Sequence, residues 1–117
     1  MTNSKPYDLE KRTFNFSKEV ISFTNEVPKT TATIEKIKQV IRSSCSIGAN
    51  YIEANESLRK KDLAMRLRIC RNETKETEYW LKLLEIINSD TDTKRQFLIK
   101  ETTELTKIFG SIIEKVK

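Results

Sequence analysis

Residues 59–71 of this 117-residue chain hold six cations, Arg59, Lys60, Lys61, Arg66, Arg68 and Arg71, against one acid, Asp62. Guanidinium and ammonium groups gathered this closely suit contact with the phosphates of a nucleic-acid backbone. The following stretch, 73–92, reverses the balance: Glu73, Glu76, Glu78, Glu85, Asp90 and Asp92 outnumber Lys75 and Lys82. Cations near a helix start and anions toward its end oppose the helix macrodipole, so tertiary or partner contacts must favour the order. No aromatic is interleaved with the basic run, which favours backbone or shape recognition over stacking on single strands. The competing structural reading pairs these cations with acids of neighbouring helices or subunits.

Catalytic chemistry finds little material. The chain has no histidine, which removes Ser-His-Asp and Cys-His nucleophile systems and His-containing metal sites. Cys45 and Cys70 form no C-x-x-C motif, and two isolated glycines cannot make a phosphate-cradling or dinucleotide loop. Glu73, Glu76 and Glu78, with Glu53 and Glu56, are the one carboxylate grouping, but a di-metal bundle also needs Glu-x-x-His from two helices. No metal, no cofactor and no enzymatic activity are expected.

The elements that must carry the cations read as helices. The chain is 37% hydrophobic and 33% charged with a net charge of +5, and it has two Gly and two Pro. So few turn formers exclude an all-β fold. No 18-residue apolar run predicts a transmembrane helix, and Met1 to Asp8 lacks the apolar core of a signal peptide. A cytoplasmic protein with reduced thiols is expected.

Residues 1–7 read as a flexible arm on a single domain spanning 1–117. Asp8 can cap a first helix with Leu9, Phe16, Val20, Phe23 and Val27 inward, while Phe14 and Ile21 form a second stripe. Pro28 ends that run, and Thr30, Thr31 or Thr33 can cap a second helix. There Ile34, Ile37, Ile41, Ser44, Gly48 and Ile52 recur at steps of 3 and 4. Gly48 suggests close approach by another backbone or by a bulky ring, for which Trp80 and Tyr79 are the obvious rings. Asn55 to Lys61 is the connection to a third helix, from about 62 to 88. Its inward positions are Leu63, Leu67, Cys70, Thr74, Thr77, Leu81 and Leu84, with Ile69, Trp80, Leu83 and Ile87 as a second apolar face. The cap formers from Asn88 to Asp92 reverse the chain into a fourth helix over about 93–117. Leu98, Leu105, Ile108, Ile112 and Val116 point inward there, with Phe97, Phe109 and Ile113 widening the face.

The expected fold is all-α, an antiparallel up-down-up-down four-helix bundle. A hairpin centred near residue 57 places Arg42 level with Glu73, tying helices two and three, and Cys45 level with Cys70, both as small core residues. The surplus apolar residues Phe14, Ile21, Ile69, Leu83, Phe97 and Ile113 predict further burial in a homo-oligomer.

The block Ile41-Arg42-Ser43-Ser44-Cys45-Ser46-Ile47-Gly48-Ala49-Asn50-Tyr51-Ile52-Glu53-Ala54 resembles a known family. The likeness continues in Lys60-Lys61-Asp62-Leu63, Leu67-Arg68-Ile69-Cys70, Glu73 and Glu76-Thr77-Glu78-Tyr79-Trp80-Leu81. This is the four-helix-bundle family of proteins encoded in intervening sequences of bacterial 23S rRNA genes, also called S23 ribosomal proteins. The resemblance implies a homopentamer with a central channel and no established catalysis. One relative, the accessory protein of diversity-generating retroelements, binds nucleic acid and a reverse transcriptase through its basic surface. By position, Arg42 and Arg68 match basic sites of the family pattern and Asn50, Glu53 and Glu76 its polar ones. Leu63 stands where many members have Phe, and Cys70 and Arg71 also depart from the usual residues. A place in the mature ribosome is not implied. The expected role is a non-enzymatic oligomeric adaptor binding RNA or DNA through Arg42, Arg59, Lys60, Lys61, Arg66, Arg68 and Arg71. The alternative is a scaffold whose basic end docks an acidic protein.

Overall fold

Four helices with short connections account for nearly all of the computed structural model, which describes residues 8–85 and 88–117. The expected arm over 1–7 and Ile87 lie outside the described residues, among which no strand occurs. Helix α1 spans Leu9–Thr24 and buries Leu9, Thr13, Phe16, Val20 and Phe23, a seam spaced 4, 3, 4 and 3. Asp8 stands at its N-cap position without a side-chain hydrogen bond. Lys29 reaches back to the Thr24 carbonyl at 3.0 Å, placing a cation on the negative end of α1.

Helix α2, Thr31–Asn55, opens on Thr30, which forms a reciprocal capping box with Thr33. Its core side is Ile37, Val40, Ser43, Ser44, Ile47, Tyr51 and Ala54. The stripe expected from spacing is therefore rotated: Ile41 is half-buried and Ile52 exposed. Gly48 meets another helix and neither ring: a Cβ added there would sit 3.2 Å from the Thr13 hydroxyl and 3.9 Å from the Thr13 backbone on α1.

Helix α3, Lys60–Leu83, buries Leu67, Cys70, Thr74, Thr77 and Leu81 as the spacing predicts, but Ala64 in place of the half-buried Leu63, and it stops short of the expected end at 88. Helix α4, Ser89–Lys115, begins earlier than expected, because the Asn88 carboxamide oxygen accepts from the backbone N–H groups of Asp90 and Thr91 at 2.8 and 3.2 Å. Asp90 and Asp92 add favourable charge to its first turn. The half-buried Arg95 of α4 joins this start to the end of α3, donating to the Leu84 carbonyl and, at 2.6 Å, to Asp92.

Each helix packs on its sequence neighbours, and α1 also meets α4. That last seam is the slightest, and two ion pairs close it: Arg12 with Glu101 at 2.7 and 2.8 Å, and Lys94 with Glu26 at 2.6 Å. Phe109 and Ile113, expected at the margin of α4, are core residues, whereas Ile108, Ile112 and Val116 are only partly covered. Among the apolar residues expected to be surplus, Ile113 is thus satisfied within the chain, and Ile69 is half-buried. Phe14, Ile21, Leu83 and Phe97 are exposed.

Through the core runs a seam of hydroxyls: Thr13, Ser43, Ser44, Thr74, Thr77 and Thr102 are all fully buried. Most return their proton to a carbonyl of the preceding helical turn, such as Thr13 to Leu9 at 2.7 Å and Thr74 to Cys70 at 2.8 Å. Such back-bonding satisfies a buried hydroxyl without a partner on another helix.

Candidate nucleic-acid interface

Helix periodicity divides the six clustered cations among different directions. Arg59 occupies the N-cap position of α3 and reaches Asp62 at 3.3 Å. Lys60 and Lys61 follow in the exposed first turn. Arg66 turns toward α2, where it is half-buried and donates to the Asn50 side-chain oxygen at 2.9 Å. Asn50 in turn donates to Ser46 at 2.9 Å, so Arg66 belongs to the α2–α3 joint. Arg68 is exposed and Arg71 half-buried. Among the described residues, Lys60, Lys61, Arg68 and Arg71 form no ion pair.

Arg42 lies on α2 beside the same joint, engaged as the hairpin spacing predicts. Its guanidinium donates to Gln39 at 3.0 Å, to Glu73 at 3.5 Å and to Glu76. Trp80 donates its indole N–H to the same Glu76 oxygen at 3.4 Å. A phosphate would have to displace two carboxylates to claim Arg42, which therefore does not join the open cations.

This network also explains the charge order along α3. Glu73 and Glu76 are drawn to Arg42, and Glu78 pairs with Lys82 at 2.9 Å. The acids of the second half are thus held at the flanks of the helix. Its outward row is Lys61, Arg68, Lys75 and Lys82, seven residues apart, beside a second outward row of Met65, Asn72 and Tyr79. In a count of charge by segment Lys75 and Lys82 are outweighed by the acids around them. Their seven-residue interval from Lys61 and Arg68 was the signal available. Tyr79 also qualifies the absence of an aromatic near the cations: it is exposed on this face, edge-on to Trp80 with ring centroids 5.3 Å apart.

The cysteines separate. Cys70 is buried, with its thiol directed at the Ile47 carbonyl 3.5 Å away, and burial pushes its pKa up to about 12. Cys45, expected in the core, is exposed. It lines a groove of about 740 Å³ between α1 and α2, together with Gly48, Ala49, Phe14, Ile21 and Ile52. Its outward position follows from the rotation of the α2 core stripe toward Val40, Ser44 and Ile47. Among the described residues, no three His, Cys, Asp or Glu side chains group to hold a metal ion. No helix there is long and apolar enough to cross a membrane.

The model of a family described as 23S rRNA-intervening sequence protein matches residues 5–111. Among solved structures, the chain is similar to a protein of unknown function from the S23 ribosomal protein family of Bacteroides thetaiotaomicron VPI-5482. The two are 28% identical with a TM-score of 0.77, over 95% of this chain and 99% of that one. No curated protein matches the chain.

Proposed function

Because this chain belongs to the 23S rRNA-intervening sequence protein family, we propose that it is a non-enzymatic, oligomeric adaptor that binds RNA or DNA by its phosphate backbone. The observation that carries this reading is the open start of α3, where Lys60, Lys61 and Arg68 are exposed and free of carboxylate partners among the described residues. Cations left unneutralised on a rigid helix attract polyanions and release their counterions on contact. The chain has no histidine and no nucleotide-binding loop, in keeping with a role outside catalysis.

In the same reading the bundle is a single antiparallel, up-down-up-down domain. Arg42 meets Glu73 while Asn50 meets Arg66, and Arg12 meets Glu101 while Glu26 meets Lys94. In both pairs of helices the partner's number falls as the first residue's number rises.

Fluorescence anisotropy with a structured RNA tests the proposal. Binding is expected at low salt and is expected to weaken steeply as salt rises. Changing Lys60, Lys61 and Arg68 together to Glu is expected to reduce affinity at least tenfold, an order-of-magnitude figure for losing about three phosphate contacts. Absent binding at low salt, or affinity unmoved by these changes, would sink it.

Assembly is the second part of the proposal, with a homopentamer as the expected state. Its support is apolar surface left open by the single chain: Phe14, Ile21 and Ile52 beside the α1–α2 groove, and Phe97 on α4, 76% exposed. Patches of this kind favour burial against another copy. Light scattering at micromolar concentration is expected to give a multiple of the 13.7 kDa chain mass. A mass of one chain would refute assembly.

A further inference from the structure

We infer that the outward row of α3 is a phosphate-tracking ridge for double-stranded nucleic acid, with Lys75 a contact residue alongside Lys61 and Arg68. This rests on the nucleic-acid reading above and names the class of polyanion it takes. Lys61, Arg68 and Lys75 are all exposed, and among the described residues none pairs with an acid. At 1.5 Å per residue the seven-residue interval is roughly 10.5 Å, and the three cations span roughly 21 Å in a nearly straight line. Lys82 extends the line by one step but is held by Glu78 at 2.9 Å.

The form of this surface selects among nucleic acids. Helix α3 packs on α2 along one side and on α4 along the other, so its outward face is a low ridge that cannot enter a major groove as a free recognition helix does. Contact is therefore with backbone, without reading of base edges. A single strand needs a groove that follows the backbone and several rings on which bases stack. The outward face offers one exposed ring, Tyr79, on the adjacent row. A duplex is stiff and straight and carries a charge roughly every 1.7 Å of its axis over its two strands, so a rigid row about 21 Å long can lie along its backbone without bending the ligand. Asn72, exposed between Arg68 and Lys75, adds a neutral donor on the same face.

The test uses the full chain, a 24-base-pair RNA duplex, a DNA duplex of the same sequence, and one strand of each, by anisotropy across a salt series. Both duplexes are expected to bind more tightly than their strands. The variant Lys75→Gln is expected to weaken duplex binding about three- to tenfold and to lower the slope of log K against log salt by about 0.9, whatever the sequence. Circular dichroism should be unchanged, since Lys75 is exposed. Single strands binding as tightly as duplexes would overturn the inference. So would a Lys75→Gln duplex affinity and salt slope equal to those of the unaltered chain while the change of Lys60, Lys61 and Arg68 to Glu abolishes binding. In both of those outcomes the broader nucleic-acid reading stands. No binding to any of the four probes would remove both together.

Discussion

Phe109→Ala is expected to lower the free energy of unfolding by about 3–5 kcal/mol, the usual cost of emptying a buried aromatic site. Phe109 is fully buried on α4, and its ring lies 6.1 Å from that of Tyr51 on α2, tilted by 55°. These two helices share no packed seam of their own. The pair thus crosses the bundle and holds its opposite corners, where backbone relaxation cannot close a void cheaply. Urea unfolding followed by circular dichroism measures the effect as a shift of midpoint at constant slope. Ile108→Ala supplies the contrast, because Ile108 is half-buried and should cost distinctly less. Equal losses for the two variants, or a larger loss for Ile108, would show that the core is centred on the other stripe of α4.

That contrast bears on what was legible in the residues. Helices α1 and α3 each carry a second apolar stripe, yet the row at steps of 3 and 4 is the buried one there, with Phe16, Val20 and Phe23, and Leu67, Cys70 and Leu81, inward. Helices α2 and α4 have adjacent apolar rows, and steps of 3 and 4 fit either of them. Ile34, Ile41 and Ile52 satisfy the period as well as Val40, Ile47 and Tyr51 do. The choice between them is made by tertiary packing: Gly48 and Thr13 set how closely α1 approaches, and this turns one row inward. A sequence pattern contains the period but not that rotation.

The candidate interface was legible in a similar, partial way. Composition pointed to the cations of α3 and the hairpin spacing found Arg42 with Glu73. Charge summed along the chain carries no direction, however. It grouped Arg66, which is engaged with Asn50, together with Arg68, which faces outward, and it hid Lys75 among glutamates. Direction comes from the partners across the seam, and those belong to other helices. The reach of Arg95 from the start of α4 to the end of α3 is hidden for the same reason: its partners there are backbone carbonyls.

The buried hydroxyls carry the second large expectation. Thr77 and Ser43 are fully buried on facing helices, with their hydroxyl oxygens 2.7 Å apart. The Thr77 oxygen also lies 2.8 Å from the Glu73 carbonyl, and Ser43 lies 3.4 Å from the Val40 carbonyl. Thr77→Val keeps the shape but removes the hydroxyl, leaving Ser43 with one long bond in a fully buried seam. A cost of about 1–3 kcal/mol is expected, the desolvation penalty of a polar group left unsatisfied. Ser43→Ala alone should cost less, because Thr77 retains a short bond to its own helix. The double variant should cost less than the sum of the two, with a coupling of about 0.5–3 kcal/mol, since it leaves no orphan behind. Urea unfolding of the four-member cycle measures this. Strict additivity would mean that the two hydroxyls are satisfied independently within their own helices. Coupling would identify this pair as a polar lock between α2 and α3, the seam on which the Arg42–Glu73–Glu76 network also depends. In that case weakening the lock should also loosen the grip on these two acids, whose placement keeps the outward row of α3 positive.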